Sequence, residues 1–203
     1  MIITPPTNIM PGIWEETHRG TRSMDIFSRL MLDRIVFLGT EVTPMSANSI
    51  IGQLLFLESE DNEKPIHMYI NSPGGDVAAG LAIYDTMNYI NAPVATLCAG
   101  RAMSMGAVLL AGGAPGMRAA LPNSSILIHQ PLGGAQGQAS DIEIVAKEIM
   151  RLKKVLMEIL AKHTGQTREQ VTNDSDRDKY MTADDALAYG IIDRIVTSKA
   201  DEE

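Results

Sequence analysis

Two short segments of the sequence carry residue types that can perform acyl-transfer chemistry. Ser104 lies in the small-residue segment 100–106, and His129 directly follows the apolar run 126–128. A serine hydroxyl is a poor nucleophile near neutral pH and needs a base within hydrogen-bond reach, and histidine is the side chain suited to that task. The pair predicts a serine nucleophile with its base, and hence an acyl-transfer enzyme, most simply a peptidase.

Backbone donors for a developing oxyanion are also predicted. If Ser104 begins a helix, the following N–H, that of Met105, points toward the substrate carbonyl at the positive end of the helix dipole. The turn Gly74-Gly75 follows another apolar run, 66–70, and glycine lets the backbone approach a substrate closely. This turn can supply a second donor.

Each feature has a simpler interpretation when taken alone. A serine at a helix start is most often an N-cap, a histidine at a strand end is usually structural, and Pro-Gly-Gly is usually only a turn. The segment 102–106 also lacks the first glycine of the G-x-S-x-G motif. The joint position of all three features after successive predicted strands favours the serine enzyme.

The carboxylate that would orient the histidine is left open by the residues alone. Spacing does not choose among six aspartates downstream: Asp174, Asp176, Asp178, Asp184, Asp185 and Asp193. The other histidines, His18, His67 and His163, have no matching nucleophile turn and are interpreted as surface or structural residues.

Repeated strand–turn–helix units must position these residues. Apolar runs predict strands at 34–38, 66–70, 94–98 and 126–128, with helices at 43–59, from 76 to about 90, and at 104–110. This order predicts an α/β fold with a largely parallel, doubly wound sheet and right-handed crossovers. The carboxyl ends of parallel strands share one edge, where ligands bind.

The longest predicted helix begins near Ser140, which has capping-box spacing to Glu143. Its apolar residues form a narrow seam suited to another helix: Ile142, Val145, Ile149, Leu152, Leu156 and Ile159. The seam fits either a protruding arm that packs on a neighbouring subunit or a helix packed on its own domain. The pattern does not decide between them.

Composition excludes several classes of function. The chain has 203 residues and a formal charge of −8, which argues against nucleic-acid and anionic-membrane surfaces. No run of about 18 apolar residues, zinc-ligand spacing or G-x-x-x-x-G-K-[ST] loop is present in the sequence. The segment 1–6 lacks a charged region followed by an apolar one, so we do not expect it to act as a secretory signal. The single cysteine, Cys98, lies in an apolar strand and fits a reducing compartment, so we expect a cytoplasmic protein without a metal or cofactor.

Several motifs resemble the proteolytic subunit of the Clp protease family, a self-compartmentalising serine peptidase. The resemblance spans 11–196 and rests on the segments 69–75, 102–107, 121–124, 128–134, 163–166 and 176–178. It implies Ser104 as nucleophile, His129 as base and Asp178 as acid, with the N–H groups of Gly75 and Met105 as the oxyanion hole. It also implies a crotonase-like ββα-repeat fold in place of the plain doubly wound sheet.

The resemblance implies an assembly as well. Two heptameric rings stack face to face, a handle of strand and helix at about 132–163 lies between them, and Asp176 and Arg177 link the rings. A hexameric AAA+ Clp ATPase docks on each end and supplies unfolded polypeptide, and ATP is used by that partner. The implied organisation is an N-terminal arm at 1–22 that lines the axial pore and carries any short propeptide, a peptidase domain at 23–198 and a tail at 199–203.

Some residues depart from the family pattern. The family usually has Gln-Ala-Ala at 101–103, an Arg at Ser125 and an aromatic residue at Met24. In the groove that receives the apolar loops of the ATPase, Tyr69, Leu97 and Leu121 match the pattern. His67, Ala99 and Ala119 are smaller or more polar than usual, so we expect weaker docking.

Two alternative functions remain. A weakly active scaffold subunit could complete a mixed ring with a paralogue; the altered groove favours it, whereas the intact Ser104, His129 and Asp178 oppose it. An acyl-CoA hydratase or isomerase would share the fold and the backbone oxyanion hole. The serine–histidine pair and the absence of a basic phosphate-binding cluster from the sequence argue against this second alternative.

Overall fold

The sheet that carries the candidate residues is mostly parallel. A computed structural model describes residues 12–17, 20–134 and 136–198. The strands of this sheet are β3 Ile35–Leu38, β4 Ile66–Ser72, β5 Val94–Met103, β6 Arg118–Ala120, β7 Ser125–Ile128, β8 Lys179–Met181 and β9 Arg194–Ile195. The strand order is β3-β4-β5-β6-β9, and β7 pairs with both β5 and β8.

Helices alternate with the first strands of the sheet, as the sequence predicts. The helices are α1 Ile26–Leu32, α2 Pro44–Glu60, α3 Val77–Tyr89, α4 Met105–Ala111, α5 Ala139–Thr164, α6 Arg168–Asp174 and α7 Ala183–Tyr189. Thr43 caps α2 and Pro44 occupies its first turn, as expected for a residue that lacks an N–H. Among the described residues, no helix combines the length and the apolar character needed to cross a membrane.

Strand β5 is longer than predicted because it pairs with two different strands along its length. Its first part pairs with β6 through Thr96–Cys98, and its last part pairs with β7 through Arg101–Met103. Between them, Gly100 has a φ of +113°, and a Cβ there would lie 2.9 Å from the Asn71 Oδ1 atom. The strand order shows no reversal among the described strands, so the expectation of a plain doubly wound sheet is wrong. The implied ββα-repeat fold is consistent with this mixed architecture.

The hydrophobic core surrounds α4. All seven residues of this helix are buried, from Met105 to Ala111. Strand residues such as Ile70 and Ile126 and helix residues such as Leu54 belong to the same apolar cluster. Cys98 is also buried, which confirms its interpretation as a core residue. The residue before α4, Ser104, therefore precedes a helix that is itself fully buried in the core.

Helix α5 differs from its predicted start. It begins at Ala139 with Gln138 as the N-cap, which makes no side-chain capping bond, so the predicted Ser140–Glu143 capping box is wrong. Ser140 already lies inside the first turn, and Glu143 instead pairs with Lys147 at 2.7 Å. The helix buries four residues of its C-terminal half on its own domain, Leu156, Met157, Leu160 and Thr164. Its N-terminal half exposes apolar residues, including Ile144 and Met150.

The predicted domain boundaries at 22/23 and 198/199 stay a prediction. A hairpin of β1 Gly12–Thr17 and β2 Gly20–Asp25 spans the predicted boundary between the arm and the peptidase domain. No strand is assigned to the described residues between Ile128 and Ala139, where the handle strand was predicted. Residues 1–11 of the arm and the tail 199–203 lie outside the described residues.

Candidate active site

Ser104 occupies a strained turn between β5 and α4. Its backbone has φ 54° and ψ −120°, a conformation that L residues rarely adopt. The N–H of Ser104 donates to the Leu127 carbonyl at 2.8 Å, which ties the turn to β7. Ser104 stands at the N-cap position, but its side chain makes no capping hydrogen bond. The simple N-cap interpretation therefore does not account for this serine.

The glycine turn lies against Ser104. A Cβ on Gly74 would lie 2.5 Å from the Met103 carbonyl oxygen and 2.7 Å from the Ser104 Cβ. On the other side, Val42 donates to the Gly74 carbonyl and accepts from the Asp76 N–H, each at 2.8 Å. These two bonds form a parallel bridge between Val42 and Gly75, in which neither the N–H nor the carbonyl of Gly75 takes part. The segment 74–75 is thus clamped between Val42 and Ser104.

His129 contacts Asp178 directly. The Nδ1 atom of His129 lies 3.0 Å from Asp178 Oδ1. The antiparallel pairing of β7 with β8 aligns Ile128 with Lys179, so His129, just after β7, faces Asp178, just before β8. The short strand β8 is therefore the element that brings this carboxylate to the histidine.

Ser104 and His129 line one small apolar cavity. The other lining residues are Val77, Met105, Val108, Ile128, Pro131, Leu156, Met157 and Leu160. In the part of the chain that the structure describes, the Ser104 hydroxyl makes no hydrogen bond with His129. The structure thus brings the serine, histidine and Asp178 to one place with the histidine–carboxylate contact already formed.

The other candidate acids have different partners. The Arg118 guanidinium binds Asp193, with Nε 2.9 Å from Oδ2. Burial opposes ionisation of Asp193, but hydrogen bonds from Arg118 and its positive charge outweigh burial and lower the pKa of this carboxyl. Asp174 pairs with Lys179 at 2.9 Å, and Asp185 accepts from the Thr182 N–H as part of a capping box.

Asp176, Arg177 and Asp184 are exposed, and the first two border a surface cavity next to His129. The backbone carbonyl of Asp176 accepts a hydrogen bond from the Gln130 side chain at 2.9 Å. Sequence reasoning missed Gln130, although its position directly after His129 was an available signal.

The two other histidines that the structure describes, His67 and His163, do not line the cavity beside Ser104. His163 forms a 2.8 Å hydrogen bond with the Tyr84 hydroxyl and an edge contact with its ring. Burial, followed by the nearby charges of Lys162 and Arg118, lowers the pKa of His163. His67 is exposed, and His18 lies outside the described residues.

A surface groove gathers most of the predicted docking residues. Its volume is about 260 Å³, and its lining residues are Pro65, His67, Met68, Tyr69, Ala95, Thr96, Leu97, Gly116, Met117, Ala119 and Arg194. Val196 packs with Leu97 and Ala119 in a small cluster beneath it. Leu121 and Ala99 are not among the lining residues. Met117 and Arg194 line the groove although the sequence did not indicate them, and the role of the groove in docking stays a prediction.

Comparison with known families gives a match over nearly the whole chain. The family described as Clp protease matches residues 18–199. This range contains the strained serine turn, the glycine turn and the histidine–aspartate contact. The chain belongs to the Clp protease family.

Proposed function

We propose that this chain is the serine endopeptidase core of a self-compartmentalising cytoplasmic protease, which hydrolyses unfolded proteins delivered by a AAA+ Clp ATPase. Its family implies a serine peptidase that forms rings and works with Clp ATPases. The observation that carries the proposal is the 3.0 Å contact of His129 with Asp178 beside a strained serine turn. In the proposed roles, Ser104 is the nucleophile, His129 the base and Asp178 the orienting acid.

The proposed reaction uses both nitrogens of the His129 ring. Asp178 accepts a hydrogen bond from the Nδ1–H group, which keeps this proton on Nδ1 and leaves Nε2 free to take the proton of the Ser104 hydroxyl. The serine oxygen attacks the peptide carbonyl carbon, and the imidazolium then gives its proton to the leaving amine. Water, activated by the same histidine, hydrolyses the acyl-enzyme and regenerates the serine. The Ser104–His129 hydrogen bond forms when substrate enters, as is common for catalytic contacts that are open in the free enzyme.

The proposed oxyanion hole consists of the backbone N–H groups of Gly75 and Met105. Met105 is the first residue of α4, so its N–H has no acceptor within the helix. The bridge between Val42 and the glycine turn does not use the Gly75 N–H. Both donors flank Ser104, and each such donor contributes about 10²–10³ in rate.

Gly75→Ala will lower kcat by about 10²-fold or more, because it displaces a donor from this position. A Cβ on Gly75 would lie only 2.9 Å from the Val42 N atom, and the backbone has φ +148°. The measurement is hydrolysis of a short fluorogenic peptide. Gly52→Ala is the control, since a Cβ at this exposed helical position meets nothing within 4 Å. Equal kcat for the Gly75→Ala variant and the wild type would contradict the proposed donor.

The proposed assembly is two stacked heptameric rings with contacts at Asp176 and Arg177. Both residues are exposed in the single subunit, as is the apolar N-terminal half of α5. These surfaces are available to a second copy of the chain. Native mass measurement tests the proposal, and a species of monomer mass with ATPase and substrate present would contradict it.

Docking of the ATPase at the groove will be weak, because the groove lacks large side chains at His67 and Ala119. Adding apolar area with His67→Tyr, at an exposed position of the groove, will lower the Kd for the ATPase about fivefold. Binding of the purified ATPase to the assembled protein is the measurement. Ala188→Phe, at an exposed position of α7, is the control for a non-specific gain. Unchanged affinity in the groove variant would show that the groove does not limit docking.

A weakly active or scaffold subunit of a mixed ring is the second candidate. The small groove residues and the open Ser104–His129 contact favour it. A fluorophosphonate probe separates the two functions when it is applied to the purified chain with and without a paralogous subunit. Mass-spectrometric mapping of the adduct to Ser104 in the chain alone supports the peptidase. Labelling of this chain that appears only with the paralogue, or that survives Ser104→Ala in the chain alone, counts against the peptidase function.

A further inference from the structure

We propose that Lys153 and Gln130 are positioning residues for Asp178, through a chain of hydrogen bonds that starts on α5. The Lys153 Nζ atom donates to Gln130 Oε1 at 2.6 Å. The Gln130 Nε2 atom donates to the Asp176 carbonyl at 2.9 Å, two residues before Asp178. The inference rests on the proposed function, because it assigns a purpose to holding Asp178 against His129.

Gln130 connects both members of the histidine–carboxylate pair. It directly follows His129 in the chain, so its own backbone moves with the histidine. Its N–H donates to the Ser175 carbonyl at 2.7 Å, and its side chain holds the next residue of the same loop. Gln130 therefore fixes the loop 175–178 relative to His129 through two adjacent carbonyls.

Lys153 determines which way the Gln130 amide faces. An ammonium group has only donors, so it must contact the amide oxygen. This contact directs the amide NH₂ toward the Asp176 carbonyl, which has only acceptors. A reversed amide would place oxygen against oxygen at Asp176 and NH₂ against the ammonium. The Lys153 ammonium thus favours the orientation of the Gln130 amide that binds the loop 175–178.

Asp178 depends on such backbone support because its side chain is exposed. The carboxylate is 58% exposed, whereas the His129 side chain is 16% exposed. Within the described residues, its single side-chain hydrogen bond is the one with His129. On the other side, Lys179 is held by Asp174 at 2.9 Å, and Asp174 also accepts from the Tyr189 hydroxyl at 3.0 Å. The loop is thus anchored at Lys179 on one side and by Gln130 on the other.

The test uses the full-length assembled protein and a short fluorogenic peptide. Lys153→Met will lower kcat about tenfold and leave KM unchanged, because a misplaced catalytic group affects the chemical step. Lys154→Met is the matched control, since it removes the same charge from the next, exposed position of α5. Lys153→Arg keeps the donors and will restore most of the lost kcat. Equal loss in the Met and Arg variants would overturn the proposal.

A double-mutant cycle separates positioning from assembly. Gln130→Ala will lower kcat, and adding Lys153→Met to it will cause no further loss, since Lys153 acts through Gln130. Additive losses would overturn the proposal. Native mass measurement of each variant confirms that equal assemblies are compared. If Lys153→Met does not assemble, Gln130→Glu serves instead, because it can pair with Lys153 but its carboxylate cannot donate to Asp176; full activity of this variant would overturn the proposal.

The same experiment distinguishes failure of this inference from failure of the proposed function. Wild-type kcat in Lys153→Met, together with an inactive Ser104→Ala variant, contradicts the inference alone. Retained hydrolysis in Ser104→Ala contradicts the proposed function itself.

Discussion

Ser104→Ala will lower peptide hydrolysis by about 10⁵–10⁶-fold. The substitution removes the only atom that can form the acyl-enzyme and leaves the strained turn with a Cβ in the same place. The turn is held by the Ser104 N–H bond to Leu127 and by the buried α4, neither of which uses the hydroxyl. We therefore expect unchanged thermal stability and assembly. Hydrolysis of a fluorogenic peptide and labelling by a fluorophosphonate are the two measurements.

The control for this prediction is Ser59→Ala. Ser59 is exposed near the end of α2, and its hydroxyl donates only to the Phe56 carbonyl of the same helix. Loss of activity in Ser104→Ala with full activity in Ser59→Ala assigns the nucleophile. Activity of Ser104→Ala within tenfold of the wild type would remove Ser104 from the mechanism.

Asp178→Asn will lower kcat by about 10⁴-fold while KM changes little. The amide keeps the shape of the carboxylate but can donate a hydrogen bond to His129 Nδ1, which places the ring proton on Nε2. In that tautomer Nε2 cannot accept the proton of Ser104. Steady-state kinetics on a short peptide measure the effect, and native mass measurement shows whether the rings are retained.

The matched control is Asp184→Asn, which neutralises an exposed carboxylate in the first turn of α7. We expect it to leave kcat within a factor of about two. Asp193→Asn provides a second comparison, because its carboxyl pairs with buried Arg118 and its loss reduces stability before it affects the chemical step. An Asp178→Asn variant with wild-type kcat would show that another group orients the histidine.

The positions of Ser104 and His129 could be predicted from the sequence because each follows an apolar run at a strand end. Parallel strands bring such positions to one edge of a sheet, whatever the family. The same reasoning explains the agreement for the helices between the early strands. Amphipathic and buried periodicity are local signals that a single sequence carries in full.

The residues alone did not single out Asp178, which only the family resemblance implied, because its contact with His129 is one that no local pattern encodes. It depends on the antiparallel pairing of β7 with β8, a strand of three residues with no clear signature of its own. The sequence also did not predict that β5 pairs with two strands, because the change from β6 to β7 occurs at Gly100 inside one continuous strand. The link from Lys153 to Gln130 was missed because it crosses between elements 23 residues apart.

The burial of α4 limits how evolution can change the specificity of this site. None of its seven residues faces solvent, so a polar replacement anywhere along it disturbs the core, and a change of volume costs packing. The helix that carries the nucleophile therefore offers almost no neutral variation from which new substrate preferences could be selected.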